Sequence, residues 1–291
     1  MTPKPPPRSG SPQAPPPIDP EAFKSFEHDG WVEVAAHYAE SFSHLTDQAI
    51  EPLLDAARVG AGARVLDVAC GPGHIAAAAA QRGARATGVD FSSTMVGEAR
   101  RRHPGIEFSE GDAEALAAPD DSFDAVVIAF GMLHFAEPDR ALAEAYRVLR
   151  PGGRVAFTVW DLPERAATFG LVLRAVEARG DMTVPLPPGP PFFRFSDPAE
   201  CRRTCEEAGL GEVEVRTLPL SWRIESADVL LQNFMEGGVR TRALLRGQKP
   251  AALEAIRTAL RDFARPFERD GALDLPTPAV MTSARKPGHG V

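Results

Sequence analysis

The stretch Val65–Gly73, with the sequence VLDVACGPG, constrains the fold of this chain more than any other segment. Its first four residues are typical of a buried strand, and its glycines alternate through a tight turn. An alanine-rich helix is predicted directly afterwards, over Ile75–Arg82. Glycine lets the backbone approach a ligand closely, and the free N–H groups of a helix N-terminus favour an anionic group. We therefore predict a strand–loop–helix unit that binds a nucleotide-like cofactor.

The composition is ordinary for a globular protein, with 44% hydrophobic and 25% charged residues in a chain of 291. This length suffices for one large α/β domain with insertions. No apolar run reaches the roughly 18 residues that a membrane-spanning helix needs. The N-terminus lacks the apolar segment of a secretory signal, so we expect a cytoplasmic protein.

The net charge of −8 argues against a polyanionic partner such as DNA or RNA. The three cysteines, Cys70, Cys201 and Cys205, lack the nearby partners that a metal site needs. We expect reduced thiols, no metal, and a monomer or homodimer that acts on a small molecule.

The chain divides into four stretches that we expect to form one domain overall. Residues 1–20 hold nine of the 28 prolines, which is typical of a disordered or polyproline-like tail. Residues 21–60 carry a helical aromatic stripe and are predicted to form an N-terminal helical cap. Residues 61–161 form the predicted cofactor-binding core. Residues 162–291 form the predicted second half of the sheet, with helical insertions that cover the substrate.

Strands and helices alternate through the core, which predicts an α/β fold with a parallel sheet and helices on both faces. In such sheets ligands bind at the carboxyl ends of the strands. The predicted strands are Arg64–Val68, Ala84–Val89, Ile106–Ser109, Phe123–Ala129 and Arg154–Trp160. The predicted helices are Ile75–Arg82, Ser92–Arg102 and Arg140–Leu149.

The alternation breaks after Trp160. A long strand is predicted over Val213–Ile224, followed by amphipathic helices over Ala227–Glu236 and Pro250–Phe267. A last short strand is predicted over Ala279–Ser283.

Three carboxylates indicate what the cofactor is. Asp90 ends the second strand, 19 residues after Gly71, where a carboxylate can accept hydrogen bonds from both ribose hydroxyls of a nucleoside. A nicotinamide dinucleotide would fit the glycine loop and Asp90 equally well. Asp67, however, lies inside the first strand and suits a ligand that bears an ammonium group. Asp112, after the third strand, is placed to accept a hydrogen bond from an adenine amino group.

Together with the motifs Phe123–Val127 and Leu149–Arg154, this order and spacing resembles class I S-adenosylmethionine-dependent methyltransferases. The type 11 domain, of the ubiquinone/menaquinone-biosynthesis kind, is the most similar, over about residues 65–160. The resemblance implies a Rossmann-like, seven-stranded, mostly parallel sheet whose last strand is antiparallel. It also implies S-adenosyl-L-methionine as cofactor and S-adenosyl-L-homocysteine as product.

The resemblance also assigns roles to the residues of the cofactor site. Asp67, Gly71 and Gly73 would contact the methionine portion, and Asp90 the ribose. The adenine and its surroundings would be met by Phe91, Met95, Gly111, Asp112 and Ala113. Ala129 and Phe130, with Gly131, would lie beside the sulfonium, and Ala69 replaces the first glycine of the family's loop.

Methyl transfer from a sulfonium requires the nucleophile to be held in line with the S–CH3 bond, with water excluded. A base is needed only where the acceptor still carries its proton. His134 follows the fourth strand and is the candidate base; the alternative is that it packs under the cofactor or forms a hydrogen bond with the backbone. His37 and His74 are weaker candidates.

The acceptor is predicted to be a small, largely apolar organic molecule. Nucleic-acid amino methyltransferases usually carry an Asn/Asp-Pro-Pro-aromatic motif where this chain has Ala129-Phe130-Gly131-Met132. The predicted acceptor pocket includes Trp31, Tyr38, Trp160 and Phe193. Oxygen, nitrogen and carbon all remain open as the methylated atom. Two alternatives also stay open: a protein that uses the cofactor for regulation or a non-methyl reaction, and an NAD(P)-dependent oxidoreductase.

Overall fold

The computed structural model describes residues 18–288. Residues 1–17, which hold most of the predicted proline-rich tail, lie outside the described residues. The strands are, in chain order, β1 (Arg64–Val68), β2 (Arg85–Asp90), β3 (Glu107–Glu110), β4 (Phe123–Ala129), β5 (Leu149–Trp160), β6 (Gly211–Leu218), β7 (Ser221–Ile224), β8 (Glu268–Arg269), β9 (Ala272–Pro276) and β10 (Ala279–Arg285).

Seven of these strands form one sheet in the order β3-β2-β1-β4-β5-β10-β6. The neighbours from β3 to β5 are parallel, while β10 runs antiparallel between β5 and β6. The predicted seven-stranded, mostly parallel sheet with an antiparallel last strand is therefore confirmed. Its centre is fully buried and includes Val65 of β1, Val126 of β4 and Phe157 of β5.

Helices surround this sheet and extend beyond it. The α-helices are α1 (Pro20–Glu40), α2 (Ser43–Thr46), α3 (Ile50–Ala56), α4 (His74–Gln81), α5 (Ser93–Arg102), α6 (Pro138–Val148), α7 (Ala167–Arg179), α8 (Pro198–Glu207), α9 (Ala227–Gly237), α10 (Arg240–Arg246) and α11 (Pro250–Ala264). Single helical turns of the 3₁₀ type occupy Asp47–Ala49, Arg194–Ser196 and Arg265–Phe267.

Capping residues fix where several helices begin. Asp19 accepts hydrogen bonds from two N–H groups in the first turn of α1, and Pro20 occupies the first helical position. Ser92 caps α5 through the Met95 N–H at 3.4 Å, and Asp197 caps α8 through the Ala199 N–H at 2.8 Å. These caps fix the residue at which each of the three helices begins.

The predicted long strand Val213–Ile224 is two strands in the structure. The chain leaves the large sheet at Pro219, which cannot donate a ladder hydrogen bond. Residues Ser221–Ile224 then pair with β9 in a separate antiparallel sheet of order β7-β9-β8. In this small sheet Trp222 packs against Phe42, with ring centroids 4.9 Å apart, and so supports the segment after α1.

The order of the strands in the sheet determines at which edge a ligand-binding crevice is expected. Strand β1 lies between β2 and β4, so the chain leaves β1 toward one side of the sheet and later returns to the other. Crevices in α/β sheets form at such a switch point, outside the carboxyl ends of the strands. Helix α1 contacts both α5 and α9, and so reaches from the β2–β3 side of the sheet to the C-terminal helices.

Candidate active site

A cavity of about 200 Å³ lies at the carboxyl ends of β1, β2 and β4. Its wall includes ten of the twelve residues predicted to bind the cofactor: Ala69, Gly71, Asp90, Phe91, Met95, Gly111, Asp112, Ala113, Ala129 and Phe130. Trp31, Tyr38 and His134 also line it. The fold thus brings together most of a site that the sequence distributes over five segments.

Asp90 connects two of these segments. Its Oδ2 accepts a hydrogen bond of 2.8 Å from the N–H of Gly71, and its Oδ1 accepts one of 2.9 Å from the N–H of Ser92. Gly71 has a φ of +51°, and a Cβ placed there would meet open space rather than protein. The loop after β1 is therefore held by the carboxylate while one side of it stays accessible to a ligand.

Burial raises the pKa of Asp90 to about 6, although the N–H groups of Ser92 and Gly71 and the charges of His134 and His28 oppose this shift. A carboxylate has lone pairs for further donors beyond the two that these N–H groups supply. Asp90 thus combines burial, cavity exposure and spare acceptor capacity, as a ribose-binding carboxylate requires.

Two predicted cofactor residues lie behind the cavity wall. Asp67 is fully buried, and its Oδ2 accepts a hydrogen bond of 3.0 Å from the N–H of Ala76 in α4. Gly73 has a φ of +86°, and a Cβ there would overlap Phe108 rather than face the cavity. Both residues shape the loop from beneath, because Asp67 fixes the start of α4 and Gly73 allows the backbone to turn into it.

Burial, reinforced by the nearby charge of Asp90, raises the pKa of Asp67 to about 8 against the hydrogen bond from Ala76. The Oδ1 of Asp67 has no hydrogen-bond partner among the described residues. The carboxyl is therefore stable in this position mainly in its protonated form.

At the other end of the cavity, Lys24 of α1 contacts the loop after β3. Its Nζ lies 2.9 Å from Asp112 Oδ2 and 2.7 Å from Oε2 of the buried Glu114. The remaining oxygen of Asp112 accepts the Glu114 N–H at 2.8 Å. Lys24 thus fastens α1 over the position predicted for the adenine.

His134 stands where the cavity meets a second, smaller one of about 50 Å³. Its Nδ1 lies 2.8 Å from Oε2 of Glu27, a fully buried carboxylate on α1. The weaker candidates have other partners, since His74 contacts Asp47 at 2.9 Å and His37 contacts Glu236 at 3.2 Å.

Aromatic rings form most of the second cavity. Trp31, Tyr38 and Phe130 line both cavities, and Trp160 lines the smaller one, where it stacks on Phe130 with ring centroids 4.0 Å apart. Phe193 packs on Phe169 at 5.8 Å, outside either wall, so three of the four predicted acceptor residues meet here. Burial raises the pKa of Tyr38 to about 12, which keeps its hydroxyl protonated at neutral pH.

Sequence reasoning missed Lys24 and Glu27. Glu27 lies four residues from both Phe23 and Trp31, so it occupies the apolar stripe of α1 where a charge is costly unless paired. A carboxylate in such a stripe is the signal that could have identified it. Lys24 carries no comparable signal, because a lysine at the edge of an amphipathic helix is common.

Comparison with known proteins was consistent with this geometry. Residues 65–153 match the model of the methyltransferase domain family. A demethylmenaquinone methyltransferase of Thermus thermophilus is 44% identical over 127 residues, which are 42% of this chain and 57% of the relative. The ubiquinone/menaquinone biosynthesis C-methyltransferase UbiE of Methylobacterium nodulans is 47% identical over 111 residues, 34% of this chain and 44% of the relative.

The chain therefore spans about half the length of the curated relatives it matches. The crystal structure of the YcgJ protein from Bacillus subtilis has a TM-score of 0.58 and 22% identity, and the match covers 84% of this chain and all of that one. This likeness extends the common fold beyond the region of sequence similarity. Residues 65–153 thus carry a methyltransferase domain, and over this region the chain is similar to methyltransferases of ubiquinone and menaquinone biosynthesis.

Proposed function

We propose that this protein transfers a methyl group from S-adenosyl-L-methionine to a small, largely apolar acceptor. The observation that carries the proposal is the pair of adjoining cavities, one with a buried carboxylate tied to a glycine loop and one with aromatic walls. A polar nucleoside and an apolar acceptor need two such compartments that meet at the reacting atoms.

The residues of the larger cavity fit the cofactor. Asp90 would accept hydrogen bonds from the ribose hydroxyls, and Asp112 would accept one from the adenine amino group. Phe91 and Met95 would enclose the adenine, and the open side of Gly71 would admit the methionine portion. Asp67 and Gly73 would act indirectly, by fixing the loop. Bound S-adenosylmethionine supplies an activated methyl on its sulfonium, so the protein itself has to supply little chemistry.

The acceptor would lie against Trp31, Phe130 and Trp160, whose rings exclude water from the transfer. His134 borders both cavities and would remove the acceptor's proton as the bond to the methyl forms. This geometry favours an acceptor with an acidic O–H or C–H, such as a phenol or enol. Two relatives are named demethylmenaquinone methyltransferase and ubiquinone/menaquinone biosynthesis C-methyltransferase, and these names agree with such an acceptor.

The test incubates the full chain with S-adenosylmethionine and a panel of phenols, hydroquinones and enols. We expect a product with one added methyl group and an equimolar amount of S-adenosylhomocysteine, both measured by mass spectrometry. His134→Gln should reduce kcat by roughly 10²-fold, because a general base contributes about this much. Binding of S-adenosylhomocysteine should be retained.

Other outcomes would indicate the alternatives. Tight S-adenosylhomocysteine binding without turnover of any acceptor would favour a regulatory or non-methyl use of the cofactor. Thermal stabilisation by NAD(P)H, with none by S-adenosylhomocysteine, would indicate an oxidoreductase. Full kcat in His134→Gln across the pH range would contradict the role of His134.

A further inference from the structure

We propose that Glu27 is a positioning residue that holds the His134 imidazole in the tautomer able to accept a proton. This inference rests on the methyltransferase function proposed above, and it adds a residue that lies outside every cofactor motif. Glu27 is fully buried on α1, and its Oε2 lies 2.8 Å from Nδ1 of His134.

The chemistry of the contact determines which ring nitrogen carries the hydrogen. A carboxylate can only accept hydrogen bonds, so Nδ1 of His134 must be the donor to Glu27. A neutral imidazole carries one hydrogen, and Nε2 is then left with a free lone pair. The described residues give Nε2 no hydrogen-bond partner, and the His134 ring lines both cavities. The nitrogen available to the acceptor is therefore the basic one.

Arg240 at the start of α10 holds the other side of the carboxylate. Its Nε donates to Glu27 Oε1 at 2.9 Å, and its two terminal nitrogens donate to the carbonyls of Pro190 at 2.9 Å and Leu133 at 3.1 Å. Its guanidinium carbon also lies 4.4 Å from the centre of the Phe23 ring. Because a permanently charged group already compensates Glu27, His134 does not have to be protonated to stabilise the buried charge.

Helix α1 brings the positioning group to the ring. Glu27 and Trp31 are four residues apart and share one helix face, and the Trp31 ring packs edge-on against His134 at 4.9 Å. Gly30, between them, approaches Val239 so closely that any Cβ would overlap its side chain. Val239 directly precedes Arg240, so the close approach of α1 to Val239 brings Glu27 into reach of Arg240.

A purely structural role for Glu27, as counter-ion of Arg240, makes a different prediction. The tautomer of His134 would then not depend on the charge of Glu27. Glu27→Gln separates the two roles, because an amide has only one acceptor oxygen and this oxygen would accept the hydrogen bond from Arg240 Nε. The amide NH2 would then face Nδ1, which must become an acceptor, and the ring hydrogen would move to Nε2.

The experiment records two-bond ¹H–¹⁵N spectra of the histidine rings in the full chain at about pH 8.5, where an ordinary imidazole is neutral. The His134 signals are assigned by their loss in His134→Gln, and spectra are taken with and without S-adenosylhomocysteine. Glu33→Gln is the matched control, since Glu33 is on the same helix and pairs with Arg242 on the exposed side. Glu27→Asp is the rescue, because it keeps the carboxylate.

We expect Nδ1–H in the wild type, Glu33→Gln and Glu27→Asp, and Nε2–H in Glu27→Gln. In turnover of an acceptor from the panel, Glu27→Gln should lower kcat by about 10²-fold relative to Glu33→Gln. Its dissociation constant for S-adenosylhomocysteine should stay within about twofold.

Nε2–H in the wild type, or retention of Nδ1–H in Glu27→Gln, would overturn the proposal, as would equal kcat in Glu27→Gln and Glu33→Gln. The spectra need no acceptor. Failure of the wild type to bind S-adenosylhomocysteine would instead contradict the proposed function while leaving the tautomer result intact.

Discussion

The Oδ2 of Asp90 accepts a hydrogen bond of 2.8 Å from the backbone N–H of Gly71. This bond ties the end of β2 to the loop after β1, so one carboxylate shapes the loop and faces the cavity at once. Substituting Asp90 therefore removes a carboxylate from the cavity wall and releases the loop that borders the same cavity.

We expect Asp90→Ala to weaken S-adenosylhomocysteine binding by roughly 2–4 kcal/mol, because it would remove the two charge-assisted hydrogen bonds proposed to the ribose. Isothermal titration calorimetry of both proteins measures the difference. Asp270→Asn, in the exposed turn before β9, is the control and should bind as the wild type does. An unchanged dissociation constant in Asp90→Ala would rule out the ribose contact.

The affinity for S-adenosylhomocysteine should fall as the pH is lowered through about 6. Burial raises the pKa of Asp90 to about 6, so the carboxyl is charged above that pH and neutral below it. The neutral form accepts weaker hydrogen bonds from hydroxyl groups. Calorimetry between about pH 8 and about pH 5 should show this loss in the wild type, whereas Asp90→Asn should bind weakly with little dependence on pH. Parallel pH profiles in the two proteins would contradict the assignment.

The buried carboxyl of Asp67 should make the stability of the folded state depend on pH. Burial raises the pKa of Asp67 to about 8 in the folded state, whereas the unfolded chain releases this proton near pH 4. The folded state therefore binds the extra proton between these values, and its stability falls as the pH rises from about 4 to about 8. Asp67→Asn removes this contribution while keeping an acceptor for the Ala76 N–H.

Thermal unfolding of the ligand-free protein measures the effect. The melting temperature of Asp67→Asn should exceed that of the wild type by more at about pH 8 than at about pH 5. Equal differences at both pH values would show that Asp67 is not the group that titrates.

Lys24→Ala should loosen α1. The substitution leaves the buried Glu114 carboxylate without its cation, at a cost of about 1–3 kcal/mol in the free energy of unfolding. Denaturant unfolding measures this cost, and hydrogen exchange should show faster exchange in α1 than in β1. Lys249→Ala, at an exposed position before α11, is the matched control. Exchange in α1 as slow as in the control would mean that Lys24 does not fasten the helix.

The sequence could indicate which residues line the larger cavity because their signals are local. The strand, the glycine loop and the start of α4 lie within 65–81, and Asp90 is close enough along the chain for its spacing to be informative. The pairs Glu27–His134 and Lys24–Asp112 are 107 and 88 residues apart. Such contacts depend on how α1 packs across the finished sheet, which no local pattern contains.

The small second sheet was missed for a related reason. The alternation of apolar and polar side chains through Val213–Ile224 continues across Pro219, so this pattern alone predicts one strand. The structure has two strands here because β10 pairs with β6 only as far as Leu218, whereas Ser221–Ile224 pairs with β9. The position of a break in a strand is thus set by the partner strands as well as by the proline.

Helix α1 holds Lys24 beside Asp112 in the wall of the larger cavity, and Glu27 and Trp31 beside His134, where the two cavities meet. These residues share one helix, so displacing α1 at one cavity would also disturb its contacts at the other. Under the proposed function, cofactor and acceptor would both contact α1, and any restriction of this helix by one of them would favour binding of the other.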